Sequence, residues 1–380
     1  MIQNKLLLIS ALLFLIFFSS CIDDPNQAIE NFTAGNTGAL VLCEGLYGTD
    51  NSTITCINLE DGSSIDTYFR TANYGQKLGD IANDMEIIDS IVYVSVSNSG
   101  TIEAFELKTG KSIGRIKFPP NVMPRKLLIM SDSLAYVSTY ISMSENDFFV
   151  YEFNPKKLEL TGVKIQVGSH PEGMTAYKNK LYVLNSGYGD FHSHHSKAST
   201  ISVIDLSTKT EIDCIKTENN PNRIYATKDG KIYVVYWELP SLKDSASGGI
   251  LEYDAENMKV LRHWKTMAYD LCLNENCDTI FYLNSSLGAS SDGNTSKGVN
   301  YIALNEEKTQ VQQFIENTKD NEIWTAVALN KQRNEIWVTN SYRYTSAGEL
   351  MIYDLTSKAI KQRYKTGVIP NKIKFYSLLK

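Results

Sequence analysis

Histidine is scarce in this chain, so a group of three stands out. His192, His194 and His195 lie beside Asp190, and only 5 histidines occur in 380 residues. Imidazoles grouped with a carboxylate can ligate zinc or copper. The surrounding segment, SGYGDFHSHHSKAS (186–199), is rich in Ser and Gly. A polar loop that meets ligand or solvent is therefore the favoured reading over a metal site. A second group is acidic: Asp80, Asn83 and Asp84 fall within GDIANDME (79–86), and Glu172 occupies an equivalent position further on. Such side chains can take a cation, bind polar ligand groups or do general acid–base work. Asp and Asn also cap local backbone N–H groups in turns, and that structural role is favoured for the run.

A third set is aromatic. Tyr47, Tyr140, Tyr188, Phe191, Trp237, Tyr342 and Tyr344 stand at or just beyond the ends of apolar segments, near the amides Asn185 and Asn340. Rigid aromatics with amide and carboxylate neighbours suit a large, partly apolar ligand or a protein partner. Aromatics at strand ends also seal the core between neighbouring units, and both readings stay open. The sequence has no G-x-S-x-G, no H-E-x-x-H and no P-loop. No catalytic residues and no cofactor are expected.

Cysteine chemistry is limited. Besides Cys21 the chain holds Cys43, Cys56, Cys214, Cys272 and Cys277, without metal-type spacing. Cys43 and Cys56 fall on adjacent predicted strands, which leaves a disulfide between them open. The others read as small buried apolar residues.

Composition narrows the class. Hydrophobic residues make up 43%, too many for a disordered chain. Lys plus Arg number 37 against 43 for Asp plus Glu, a net charge of −6. Nucleic-acid binders carry a basic excess, so a nucleic-acid partner is not expected.

Residues 1–20 read as a secretory signal. Lys5 supplies the basic start, and Leu6 to Phe18 is apolar except for Ser10. That run is short for a bilayer span. Ser19 and Ser20 before Cys21 resemble the bacterial lipobox, which implies lipidation at Cys21. Asp23 and Asp24 resemble the acidic surface-export signal of Bacteroidetes-type lipoproteins. The expected layout is a signal over 1–20, a lipidated Cys and flexible tether over 21–37, and a body over 38–380. The expected location is the outer membrane, facing the cell surface, with a periplasm-facing anchor as the alternative.

The body repeats. An apolar–aromatic strand recurs as ALVLCEG (39–45), IVYVSVS (91–97), LAYVSTY (134–140), LYVLNS (181–186), IYVVYW (232–237), IFYLNS (280–285) and IWVTNS (336–341). Each is followed by a second strand, turn residues and a third strand. A further strand opens most units, often just after Pro: Met123-Pro124-Arg125, His170-Pro171-Glu172, Asn220-Pro221-Asn222 and Ile369-Pro370-Asn371. Units of this length with four short strands are the sequence form of propeller blades. The first unit lacks an opening strand, and residues 368–378 supply one with nothing after it. The C-terminal strand should therefore join the N-terminal blade and close an all-β, seven-bladed propeller. In such a disc the loops between second and third strands share one face. Those loops are the long ones here, and long loops on a rigid scaffold are the usual place for function. A propeller lactonase or lyase would need convergent carboxylates or His at the channel mouth, where Asp80, Asp84 and Glu172 are the candidates.

The stretches HPEGMTAYKNKLYVLNSG, STISVIDLSTKTEIDCIKT and NPNRIYATKDGKIYV (within 170–234) resemble the YVTN-repeat, YncE-like propellers, and Trp337-Val338-Thr339-Asn340 is close to their signature. CEGLYGTDNSTITCIN (43–58) and LGDIANDMEI (78–87) resemble a lipoprotein branch of that family found in gut Bacteroidetes. The resemblance implies capture of a ligand, with cobalamin or another corrinoid in view, and transfer to a TonB-dependent outer-membrane receptor. The runner-up is a scaffold for a protein or glycan on the cell surface.

Overall fold

Period-two strands with apolar residues on both faces must be buried on both sides, and a ring of radial sheets meets that demand. The computed structural model describes residues 32–141, 148–188, 195, 197–237, 248–284, 297–305 and 310–379. Among them, 28 strands form seven four-stranded antiparallel sheets. Blades 2 to 7 span residues 82–117, 122–166, 171–216, 221–265, 270–316 and 324–368 in chain order. The seven-bladed propeller expected from the repeat is the fold.

Blade 1 is composite. Its innermost strand is the C-terminal Pro370–Ser377, followed outward by Thr37–Cys43, Thr53–Asn58 and the two-residue Ser64–Ile65. Leu40 faces Lys374 on one side and Cys56 on the other. The join is tight at its lower end. Gly38 lies against the Tyr376 ring, where a Cβ would collide. The Tyr376 hydroxyl donates to the Ala34 carbonyl.

The packed body reaches upstream of the expected boundary at Gly38. Phe32 meets Tyr68 edge-on at 5.7 Å, Ala34 is fully buried, and Asn58 Nδ2 donates to the Thr33 carbonyl at 3.0 Å. Residues 32–37 are thus seated on the fold rather than part of a loose tether. Cys21 and the segment 1–31 lie outside the described residues.

Seven apolar clusters fill the seven seams between blades. Alternation decides which seam a residue enters. Leu40 and Leu42 pack with Val92, Val94 and Val96 of blade 2, whereas Ala39, Val41 and Cys43 pack with Trp337 and Leu350 of blade 7. Burying each such Leu or Val contributes about 1.5–3 kcal/mol. The same alternation decides the open question of the cysteines. Cys43 pairs with Thr53 and Cys56 with Leu40, so the two thiols enter opposite seams and both are free.

Among the described residues the β pattern is interrupted by a one-turn helix, Tyr68–Ala72, which buries Phe69 against Phe105 at 5.5 Å between blades 1 and 2. No helix among the described residues is long and apolar enough to cross a membrane.

Candidate functional site

The seven innermost strands converge on a central channel of about 500 Å³. Their upper ends share an irregularity. Six of them slip register at the same level, and the slips free Asn83, Arg125 with Lys126, Glu172 with Gly173, Asn222, Thr325 and Asn371. A bulge re-aims the side chain it carries. Here it turns one or two residues per blade toward the channel mouth. Four of the bulges begin two positions after a residue in the left-handed region, namely Ile81, His170, Asn220 and Ile369. For the β-branched Ile81 and Ile369 this conformation costs energy that only the surrounding packing can offset.

These residues bond to one another around the mouth. Glu44 accepts from Asn371 Nδ2 at 3.0 Å and from Asn83 Nδ2 at 3.1 Å. Asn83 Oδ1 accepts from Arg125 Nη1 at 2.7 Å. Arg125 donates to Glu172 Oε1 from Nη2 at 2.5 Å and from Nε at 3.2 Å, and the Tyr140 hydroxyl donates to the same oxygen. Across the channel Arg223 stands 3.6 Å from Asp270, which also accepts from the Tyr225 hydroxyl at 3.0 Å and the Val327 amide at 3.1 Å. Thr325 of blade 7 donates to the Pro370 carbonyl of blade 1 at 2.5 Å.

The electrostatics follow from pairing. Burial disfavours ionisation of Glu172, but Arg125, Lys126 and the Tyr140 bond together outweigh it and hold its carboxyl below the usual range. Burial is likewise overcome at Asp84, where Lys372 and Lys126 keep the carboxylate charged and the Leu127 amide donates to it at 2.8 Å. Lys126 has the opposite balance. Burial, then the repulsion of Arg223, push its ammonium down to about 8. One oxygen of Glu172, Oε2, is buried without a hydrogen-bond partner.

Beside Glu172 rises an aromatic shelf. The Tyr140 and His170 rings meet edge-on at 4.8 Å, and Tyr188 stacks on His170 and meets Tyr140 edge-on, both at 5.7 Å. Arg125 lies over the Tyr140 ring at 4.5 Å. Tyr140 is buried at 7% exposure, whereas Tyr188 is 52% exposed and presents its outer surface to solvent. Trp237 packs on Tyr269 at 5.6 Å, and its indole N–H is buried without a hydrogen-bond partner. Burial, Tyr269 and Glu44 together raise the Tyr344 phenol, which places it near the mouth.

The remaining expected residues divide. Tyr47 is 79% exposed on the loop after the first strand of the chain. Tyr342 bonds toward Glu349 on the outer side of blade 7, and burial with that carboxylate pushes its phenol up to about 12. Asp80, Asn185 and Asn340 bond within the fold, with Asp80 Oδ1 and Asn185 Oδ1 buried without a hydrogen-bond partner. Asp80 accepts from Gly48 N at 2.9 Å and Asn98 Nδ2 at 2.5 Å. Asn185 donates to Thr200 and Ser202 at 2.8 and 2.9 Å. Asn340 accepts from the Ile323 and Tyr342 amides at 3.1 and 2.9 Å. Phe191, His192 and His194 lie outside the described residues, and His195 packs near Phe148 at 6.4 Å. Among the described residues, no three His, Cys, Asp or Glu side chains gather as metal ligands.

Glu44, Lys126, His170, Arg223, Tyr269 and Asp270 were not singled out from sequence. The signal available for some was position: Lys126 and Arg223 each stand two residues after a Pro near the start of an inner strand, and His170 stands just before one.

Comparison with known families is decisive at one level. The profile of DUF5074, a domain of unknown function, matches residues 37–367. The chain belongs to the DUF5074 family. No curated protein matches this DUF5074 chain significantly. Among solved structures it is similar to a quinoprotein alcohol dehydrogenase-like protein from Bacteroides thetaiotaomicron, at 13% identity and a TM-score of 0.64, over 91% of this chain and 80% of that one. It is also similar to a periplasmic gluconolactonase of Pseudomonas aeruginosa, at 12% identity and a TM-score of 0.63, over 90% and 99%. A third is the hydrazine synthase of Kuenenia stuttgartiensis, at 13% and 0.59, over 76% and 92%. At these identities the likeness is one of fold.

Proposed function

We propose that this DUF5074 propeller is a capture protein. It is held to the outer membrane by a lipid on Cys21, receives a large, partly apolar ligand over the channel mouth, and passes it unaltered to a TonB-dependent receptor. The ligand proposed is cobalamin or a related corrinoid, whose broad face and amide fringe match an aromatic shelf set beside amides. The corrinoid and the receptor follow from the resemblance to YncE-like surface lipoproteins.

The single observation that carries the reading is the shelf itself. Tyr188 offers an exposed ring whose underside is stacked on His170 and braced by Tyr140, which the Arg125–Glu172 pair holds in place. A preorganised aromatic surface loses little entropy when it binds. Binding without chemistry is favoured by the carboxylates around it. Glu172 and Asp84 are each engaged by an adjacent cation, Glu172 by Arg125 and Asp84 by Lys372, which holds them as ion-pair partners.

The test is calorimetric titration of the detergent-solubilised full chain with cyanocobalamin. Saturable one-to-one binding in the micromolar range or tighter supports capture. Absence of both heat and co-elution overturns the corrinoid assignment.

A further inference from the structure

The channel beneath the mouth has its own charge pattern. Four cations and three carboxylates line it. Lys372 is paired with Asp84 and, at 3.0 Å, with Glu86; Lys374 reaches Glu86 at 2.7 Å. Arg223 stands 3.6 Å from Asp270. Among the described residues, Lys126 has no ion-pair partner. Its Nζ donates to the Asn83 carbonyl at 2.8 Å.

We propose that the central channel is an oxyanion site, in which Lys126 and Arg223 receive a small carboxylate or phosphate. Both side chains line the same cavity, and its volume of about 500 Å³ exceeds what either anion needs. An ammonium has three donors, and Asn83 occupies one, so two remain for a ligand. Arg223 gives Nη1 to Asn222 Oδ1 at 2.5 Å and holds Asp270 only loosely, which leaves guanidinium donors to share. Two cations in a partly dehydrated space repel each other, and an anion between them removes that repulsion and balances the lining. The Lys126 ammonium is depressed first by burial and then by the repulsion of Arg223, against the attraction of Asp84 and Glu172. The oxyanion is either a free ion or an acidic group hanging from a molecule seated on the shelf above.

Titration of the full chain with inorganic phosphate and with succinate tests the site without any corrinoid, so its outcome is independent of the capture reading. Saturable binding of at least one of the two is expected, weakened about tenfold or more in Lys126→Met and in Arg223→Met. Lys178→Met, which alters an exposed lysine paired with Glu256, should bind as the wild type does. No saturable binding of either probe, or binding untouched by Lys126→Met, overturns the proposal. A second measurement needs no variant. Acetylation of the native protein with an N-hydroxysuccinimide ester near pH 8, read by mass spectrometry, should modify Lys126 readily. Saturating phosphate or succinate should slow that modification about tenfold while leaving Lys178 unchanged. Equal labelling of Lys126 with and without both anions overturns the site. Competition between phosphate and a bound shelf ligand would assign the anion to that ligand, and independent binding would assign it to a free ion.

Discussion

Arg125 reaches from the inner strand of blade 3 to Glu172 on the inner strand of blade 4, placing Nη2 and Nε at 2.5 and 3.2 Å from one carboxylate oxygen. The pair joins two blades and sets the height of Tyr140, whose hydroxyl shares that oxygen. Removing one member leaves the other buried without compensation. Glu172→Ala should therefore cost about 3–5 kcal/mol in urea unfolding, whereas the paired change Arg125→Met with Glu172→Met should cost clearly less than the sum of the single changes.

Acid should loosen the same region first. The carboxyls of Glu172 and Asp84 lie below their usual values near 4.5 and 3.8. The folded state thus binds their protons more weakly than the unfolded chain does. Their stabilisation is complete above the usual carboxylate range and is lost as the pH falls through the lower folded values. Denaturant midpoints measured from pH 7 down to 2 should drop below about pH 4, and Asp84→Asn should flatten the drop.

Lys126 predicts the opposite slope. Its folded ammonium titrates near 8, against 10.5 ordinarily. Between those values the unfolded chain holds the proton and the folded chain does not, so stability should rise with pH across that window. Lys126→Met should abolish the rise and stabilise the protein at pH 7 by about 1–2 kcal/mol. Thermal unfolding at pH 7 and 9.5, without added oxyanion, checks both statements.

Tyr188 separates binding from folding. Half of it faces solvent, so Tyr188→Ala should change the melting temperature little. Its loss from the shelf should weaken cyanocobalamin binding about tenfold or more. Equal affinity in titration would remove Tyr188 from the site.

The cysteines give a chemical check on the register of blade 1. Burial pushes the thiols of Cys43 and Cys56 up to about 12. Iodoacetamide should label neither in the native protein. In urea, without any reductant, it should label both, and failure to do so would indicate a disulfide that the opposed orientations forbid.

The blades were legible because each strand obeys a local rule. A segment such as 336–341 is apolar on both faces, has a polar end and sits between turn residues, and all of that is written within a few positions. Ring closure was legible too, since the missing strand of blade 1 and the spare strand after Ile369 are complementary deficits. The mouth was harder to read. Asn83, Arg125, Glu172 and Asn371 come from four different blades and meet only because bulges turn them inward, and no local pattern announces a bulge. Asn185 and Asn340 show a related difficulty. An amide at a strand end looks like a ligand contact, yet both bond neighbouring backbone or hydroxyl groups, with Asn185 Oδ1 left over. Cys43 and Cys56 were placed correctly on adjacent strands, but three positions of register turn them apart.

The chain enters the body at the side opposite the shelf. Asn36 N donates to Glu60 and Thr33 accepts from Asn58, both at the end of blade 1 remote from the loop that carries Tyr47. With Cys21 lipidated as proposed, the propeller is a cup tethered by its base, with its opening turned away from the bilayer. Ten residues separate Cys21 from Phe32. Fully drawn out they span at most about 35 Å, more than the roughly 20 Å height of a six-residue strand. On the proposed anchoring, that span exceeds the height of the body, which would let a lipid-held propeller present its mouth either away from the membrane or toward the proposed receptor within it.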